Sequence, residues 1–334
     1  MTEFSFDALR RWPDVEADNL FAVDAADRLM LDEAAVALAD AGPGGVVVIG
    51  DNYGALTLGA RSASLPSLRG APGTAVIRVH QDALVGERAL VRNAETLGLV
   101  GTFQSISLTR ELVSGARVVL LRLPRSLDAL DEIAALIAAH ADPAVVVFAG
   151  GMIKHLALAM NEVLGRHFET VRPGLARQKS RVLRVSGVVA DAVRADAAPT
   201  DWPKREFHDD LGLWVCAHGG AFAGTRVDIG TRFLLSELDG AKPGAASAID
   251  LGCGTGVIAA ALAKSRPEIT VLATDHSAAA VASALATAEA NGVADRVTVV
   301  RDDGLASQAD ASAELIMLNP PFHMGATVHN GIAT

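Results

Sequence analysis

Ala248-Ile249-Asp250-Leu251-Gly252-Cys253-Gly254-Thr255-Gly256 reads as a buried strand running into a glycine turn, with the apolar helix Val257 to Lys264 behind it. Glycines at such a turn allow a tight backbone and let a ligand approach it closely. The spacing is G-x-G-x-G, whereas a dinucleotide fingerprint needs G-x-G-x-x-G to seat a pyrophosphate on the helix N-terminus. Asp250, two residues before the first glycine, repels an anion and attracts an ammonium group. Gly252, Cys253, Gly254 and Gly256 with Asp250 therefore favour S-adenosylmethionine over a nicotinamide dinucleotide. Cys253 reads as a small filler, since nothing basic lies near it in sequence to make a thiolate.

Downstream of the turn, three more strands are expected at Thr270 to Ala273, Val297 to Val300 and Leu315 to Leu318. The first runs on to Asp275, followed by His276, where a carboxylate can accept both hydroxyls of a ribose. The second is followed by Asp302 and Asp303, placed to take an adenine amine. The third ends in Asn319-Pro320-Pro321-Phe322. An aromatic amine is a poor nucleophile because its lone pair is delocalised into the ring. The Asn319 side-chain carbonyl and the Pro320 backbone carbonyl can accept its two hydrogens and localise that lone pair. Consecutive prolines stiffen the backbone there, and Phe322 offers a face on which a base can stack.

Upstream, the chain shows an N-terminal helical segment from Asn19 to Ala39 and apolar runs at Val46 to Ile49, Ala75 to Val79, Val118 to Leu121, Ala144 to Phe148 and Val182 to Val185. Alternation of such runs with Ala-rich helical stretches predicts parallel sheets covered by helices. The two halves also match each other. Val46 to Gly54 aligns with Ala248 to Gly256, with Gly50 on Gly252 and Gly54 on Gly256. Ala94, Glu95 and Gly98 align with Ala288, Glu289 and Gly292, and Leu123-Pro124 with Asn319-Pro320. In the first copy Val48 replaces Asp250, Asn52 replaces Gly254 and Gln81 replaces Asp275, so no cofactor is expected there. Two tandem Rossmann-like α/β domains follow: residues 1–190 as a degenerate copy, 191–205 as a linker or edge hairpin, and 206–334 as the catalytic copy. The second copy stops about 14 residues after Pro320, where the first continues for roughly 65, so the native chain is expected to run to about residue 385 and complete its sheet.

The chain has 334 residues, half of them hydrophobic, a net charge of −10 and two cysteines without CxxC spacing. These values fit a cytoplasmic globular protein and exclude disulfide-stapled scaffolds, zinc ribbons and a chain that binds nucleic acid through overall basicity. No membrane span, no metal site and a monomer are expected. From Lys154 to Arg184, however, seven basic residues stand against two acids. Lys154, Arg177, Lys179 and Arg181 are the candidates there for contact with phosphates.

DLGCGTG (Asp250 to Gly256), the acid Asp275 and NPPFH (Asn319 to His323) resemble the class I S-adenosylmethionine-dependent methyltransferases. Within these, the duplicated layout resembles the bacterial ribosomal-RNA guanine-N2 methyltransferases. LRRWPDVEADNLFAVDAADRLML (Leu9 to Leu31), the loop Asp51 to Leu56 and VDIGTRFLL (Val227 to Leu235) are most similar to the large-subunit branch, the small-subunit branch being next. The resemblance implies an N-terminal half that lost its cofactor and assists RNA binding, and methyl transfer to the N2 of a guanine in ribosomal RNA or a subunit precursor. Met324-Gly325-Ala326 departs from the polar residues usual after NPPFH in those enzymes. His323 is a candidate RNA contact. Rival readings are methylation of a protein glutamine and a non-catalytic RNA-binding assembly factor.

Overall fold

The computed structural model describes residues 4–63, 76–189 and 202–320, and the chain divides into two compact units, Met1–Asp201 and Trp202–Thr334. In the first unit the apolar runs form β1 (Val46–Ile49), β2 (Ile77–His80), β4 (Val118–Arg122), β5 (Val146–Met152) and β7 (Ser180–Val188), joined by β3 (Phe103–Ser105) and β6 (Phe168–Pro173). Their order is β3-β2-β1-β4-β5-β7-β6. β7 runs antiparallel to both its neighbours and the other pairings are parallel, so the sheet is mixed. Every residue of β1 is buried, and its alternate side chains serve two cores. Val46 and Val48 pack into one, Val47 and Ile49 into the other, as a period of two requires of a strand covered on both faces.

The second unit opens with a hairpin, β8 (Lys204–His208) paired antiparallel to β9 (Leu213–Ala217). The polar stretch expected to be a linker through residue 205 therefore already belongs to a strand at Lys204. Four parallel strands follow, β10 (Ser247–Leu251), β11 (Thr270–Asp275), β12 (Val297–Arg301) and β13 (Leu315–Leu318), in the order β12-β11-β10-β13. Helices Val257–Ser265 and Ala278–Ala290 contribute to the core beside them.

The hairpin docks on the second of these helices by an exchange of periodicities. Ser283, Thr287 and Asn291 recur every four residues, on one helical face, and accept the amides of His218, Cys216 and Trp214, which recur every two residues along one strand edge. Backbone donors on the edge of a two-stranded ribbon thereby find partners without a third strand.

β3 and β6 in the first unit, like β8 and β9 in the second, were not among the expected strands. β3 has only three residues, none buried, and β6 buries only Phe168, so neither carries a strong apolar run. The first long helix spans Ala25–Asp40 instead of starting at Asn19, because Asp24 caps it and Asp27 returns a bond to the Asp24 amide.

Candidate active site

The glycine turn sits at the carboxyl ends of β10 and β11. The amides of Gly252 and Cys253 both donate to Thr274 O, at 2.8 and 2.9 Å, which latches the turn to the neighbouring strand. Gly252, Gly254 and Gly256 all have positive φ, at +70°, +53° and +74°. Their surroundings differ. A Cβ on Gly256 would lie 2.8 Å from Ala284 Cα, so that glycine lets two helices approach. In front of Gly252 and Gly254 there is open space within 4 Å.

Asp250, two residues before the first of these glycines, is buried. Its Oδ2 accepts the Ala259 amide at 3.0 Å, while Oδ1 has no partner among the described residues. Burial, with the Asp275 charge nearby, pushes the Asp250 carboxyl up to about 7. At the end of β11, Asp275 accepts from the Gly254 amide on Oδ2 and the Ser277 amide on Oδ1, so each oxygen keeps acceptor capacity. His276 beside it is exposed. Cys253 is buried, and desolvation raises its thiol well above the ordinary range, as befits a packing residue.

After β12 the two acids diverge. Asp302 is buried and turned onto its own loop, accepting from the Asp303 and Ser307 amides and the Ser307 hydroxyl. Asp303 is exposed.

The last strand brings the amide to the turn. Leu318 of β13 is in register with Leu251 of β10, so Asn319 leaves the sheet beside Gly252. The Asn319 side chain is held from the start of another helix, Ile229–Glu237. Its Nδ2 donates to Asp228 Oδ1 at 3.1 Å and to Thr231 Oγ1 at 3.0 Å, and a Cβ on Gly230 would lie only 2.5 Å from its Oδ1. Asp228 is the N-cap of that helix. Burial alone would raise its carboxyl, but bonds from Thr231, Asn319 and Gly230 outweigh this and hold it below the usual carboxylate range. Pro320 is half-buried; Pro321, Phe322 and His323 lie outside the described residues.

Asp228 and Thr231 were not among the candidate residues read from the sequence. A signal was present: Val227-Asp228-x-x-Thr231-Arg232 repeats the pattern of Val23-Asp24-x-x-Asp27-Arg28.

The first unit shows what that pattern does elsewhere. Asp24 and Asp27 clamp Arg122 in ion pairs, and Arg122 ends β4. Leu121 of β4 is in register with Ile49 of β1, as Leu318 is with Leu251. The position matching Asn319 is therefore Arg122, one residue earlier than the Leu123 expected from the sequence, because strand register and not the shared proline sets the alignment.

Among the basic residues, Lys154 is exposed just after β5, and Arg177 and Lys179 are exposed in the turn between β6 and β7. Ile153 N donates to Lys179 O, bringing the two segments together, and Arg177 pairs with Asp32 at 3.2 Å. Arg181 is half-buried within β7 and its Nε is enclosed. Among the described residues no group of three or more His, Cys, Asp or Glu is placed to hold a metal ion, and no helix is long and apolar enough to cross a membrane.

Comparison with known proteins finds similarity along nearly the whole chain. Residues 1–188 match the family described as the RLMG N-terminal domain, and residues 212–334 match the methyltransferase small domain. A ribosomal RNA large subunit methyltransferase G of Streptomyces avermitilis is 34% identical over 95% of this chain and 80% of its own length. The chain belongs to the ribosomal RNA large subunit methyltransferase G family. A second member, from Pseudomonas paraeruginosa, is 32% identical over 99% of this chain and 84% of its own length. A T. thermophilus 16S rRNA N2 methyltransferase, solved with AdoMet and guanosine, superposes with a TM-score of 0.60 at 21% identity, covering 93% of this chain and 80% of that one. It shares the family's α/β class I methyltransferase fold.

Proposed function

We propose that the second unit binds S-adenosylmethionine and transfers its methyl group to the exocyclic N2 of a guanine in large-subunit ribosomal RNA. The observation that carries this reading is the state of Asn319. Its nitrogen is occupied by Asp228 and Thr231, so its Oδ1, lying against Gly230, is the amide's remaining acceptor on a residue that leaves the sheet next to the glycine turn.

The residues fit the cofactor. A buried carboxylate oxygen without a partner, Asp250 Oδ1, suits an ammonium group, and the space before Gly252 and Gly254 admits a ligand against the backbone. Asp275 is assigned to the ribose hydroxyls, with His276 flanking, and the turn built by Asp302 and Asp303 to the adenine. When bound, S-adenosylmethionine supplies an electrophilic methyl group on a sulfonium. Asn319 Oδ1 and the Pro320 carbonyl accept the two hydrogens of the guanine amine, which localises its lone pair and aims it. We assign the stiffening of that ledge to Pro321 and stacking on the base to Phe322, on their sequence alone; the base must leave its helix to reach them.

We further propose that the two units arose by duplication and that the first serves RNA binding. Four correspondences support this. The strand orders β3-β2-β1-β4 and β12-β11-β10-β13 are equivalent. Both glycine turns hold positive φ at their first and last glycines. Leu99 bonds to Ala94 O, and Val293 to Ala288 O, after a left-handed glycine in each case. Asp24 and Asp228 cap equivalent helices. We assign the RNA contact to Lys154, Arg177, Lys179 and Arg181; beside them desolvation, followed by the charges of Arg125 and Lys154, lowers the His155 imidazole below its ordinary value.

The test uses tritiated S-adenosylmethionine with free 23S RNA, free 16S RNA and intact subunits. The expected result is label on a guanine of 23S RNA, lowered by roughly two to three orders of magnitude in Asn319→Ala. Label on 16S RNA alone, on protein glutamine, or nowhere overturns the assignment. Calorimetric binding of NAD in place of S-adenosylmethionine overturns the cofactor.

A further inference from the structure

We infer that Asp228 and Thr231 are positioning residues that fix which way the Asn319 amide faces, an inference that rests on the methyl-transfer reading above. An asparagine amide is nearly symmetric in shape, and turned over by 180° it would present N–H groups to an amine that needs an acceptor. Something must forbid that orientation.

The chemistry at the start of helix Ile229–Glu237 does so. Both oxygens of the Asp228 carboxylate can only accept. The Thr231 hydroxyl has one proton, which it gives to Asp228 Oδ2 at 2.6 Å, so toward Asn319 it also can only accept. Nδ2 meets Asp228 Oδ1 at 3.1 Å, Asp228 Oδ2 at 3.4 Å and Thr231 Oγ1 at 3.0 Å. Three acceptors surround that nitrogen. In the flipped amide Oδ1 would face all three without a hydrogen between them. The carboxylate also does more than orient. An anion bonded to an amide N–H favours the resonance form with negative charge on oxygen, so Oδ1 becomes a stronger acceptor.

A second observation comes from the other unit. The same V-D-x-x-[D/T]-R frame, Val23 to Arg28, grips the residue at the same place on the fourth strand, Arg122. There position 27 is an aspartate, and two acids suit a guanidinium. Here position 231 is a threonine, and one acid with one oriented hydroxyl suits an amide. The frame thus acts as a holder for whatever ends that strand, and its third residue is matched to the cargo.

The experiment compares Asp228→Asn, Thr231→Val and Thr231→Ser with wild type and Asn319→Ala. Asp228→Asn and Thr231→Val should lower kcat by about 10- to 100-fold, with KM for RNA and the calorimetric affinity for S-adenosylmethionine within about twofold of wild type. Thr231→Ser, which keeps the hydroxyl, should restore kcat to within about threefold. Independently of turnover, the Asn319 side-chain 15N–1H2 resonances, assigned by their loss in Asn319→Ala, should shift in Thr231→Val and Asp228→Asn and stay in place in Thr231→Ser. Unchanged kcat and resonances in Asp228→Asn and Thr231→Val overturn the inference while the methyl-transfer reading stands. Equal losses in Thr231→Ser and Thr231→Val overturn it as well, because they point to packing. Full activity in Asn319→Ala removes both the inference and the reading.

Discussion

Two glycine turns stand at equivalent places in the two units, and one is shut while the other is open. The last glycines, Gly54 and Gly256, are equally crowded, but at the first glycine a Cβ on Gly50 would lie 3.3 Å from Arg122 whereas one on Gly252 would meet nothing within 4 Å. Asn52 O closes against Gly86, where a Cβ would come within 2.4 Å. The acid of that turn, Asp51, is buried and accepts the amides of Gly54, Leu56 and Thr57. In the second turn the buried acid, Asp250, has one amide and an oxygen to spare. A carboxylate satisfied by its own chain is a structural peg. A carboxylate left unsatisfied costs stability in the apo protein and so favours a ligand that completes it.

The fourth strands carry the same contrast, and the largest predicted effect lies there. Arg122→Ala leaves Asp27 buried without its cation, and loss of a buried pair costs about 3 kcal/mol. Thermal or urea unfolding should show that loss, with binding of S-adenosylmethionine in the second unit intact. Asn319→Ala, in a half-buried polar contact, should cost less than about 1 kcal/mol of stability while methyl transfer collapses. If both variants lose stability equally, the second clamp is structural like the first.

The turns separate next. Gly54→Ala meets Leu90 and a φ of +99°, so it should destabilise by about 2 kcal/mol without touching the cofactor. Gly254→Ala has room for its methyl group and a φ of +53°, so about 1 kcal/mol of backbone cost is expected. Its methyl group would occupy the open space, and calorimetry should show the affinity for S-adenosylmethionine reduced at least tenfold. An unchanged affinity would mean that the ligand does not approach that backbone.

The buried strands were readable in the sequence because burial on both faces leaves an unbroken apolar run such as Val46 to Ile49. The glycine turn was readable because positive φ demands glycine at fixed places. The grip of Asp228 on Asn319 was readable only in its parts, the repeated V-D-x-x-[D/T]-R pattern and the Asn319 motif, since the contact joins residues 91 apart. The place of Asp302 after a strand was readable, but the bonds its carboxylate takes from the Asp303 and Ser307 amides were not, because they depend on how the loop folds. Arg122 was masked by the proline that follows two residues later, which suggested a register one residue off.

Asp250 offers a smaller effect with a definite sign. Its carboxyl is pushed up to about 7 in the unliganded protein, chiefly by desolvation. A cationic ligand favours the ionised form, so binding must expel a proton wherever the group is protonated. Affinity for S-adenosylmethionine should therefore rise about tenfold per unit as pH approaches 7 from below and level off above it. Calorimetry in buffers of different ionisation enthalpy should register the released proton below pH 7. Asp250→Asn should abolish the slope and hold affinity near its acid-limb value. The peg acid Asp51 predicts the contrary: Asp51→Asn leaves that slope unchanged, because no ligand completes its carboxylate.

The smallest predicted effect concerns the surface of the first unit, where the basic residues differ in what already neutralises them. Among the described residues Lys154 and Lys179 form no ion pair, whereas Arg177 is paired with Asp32 at 3.2 Å. A cation that already has a carboxylate beside it neutralises less phosphate charge, so fewer counterions leave the RNA on binding. Each of Lys154→Ala and Lys179→Ala should reduce the slope of log affinity against log salt by about 0.7 to 1. Arg177→Ala should reduce it by less, and Asp32→Ala should raise the slope by freeing Arg177. Equal slopes across all four variants would move the RNA contact away from this turn, and the closed first unit would then need another role.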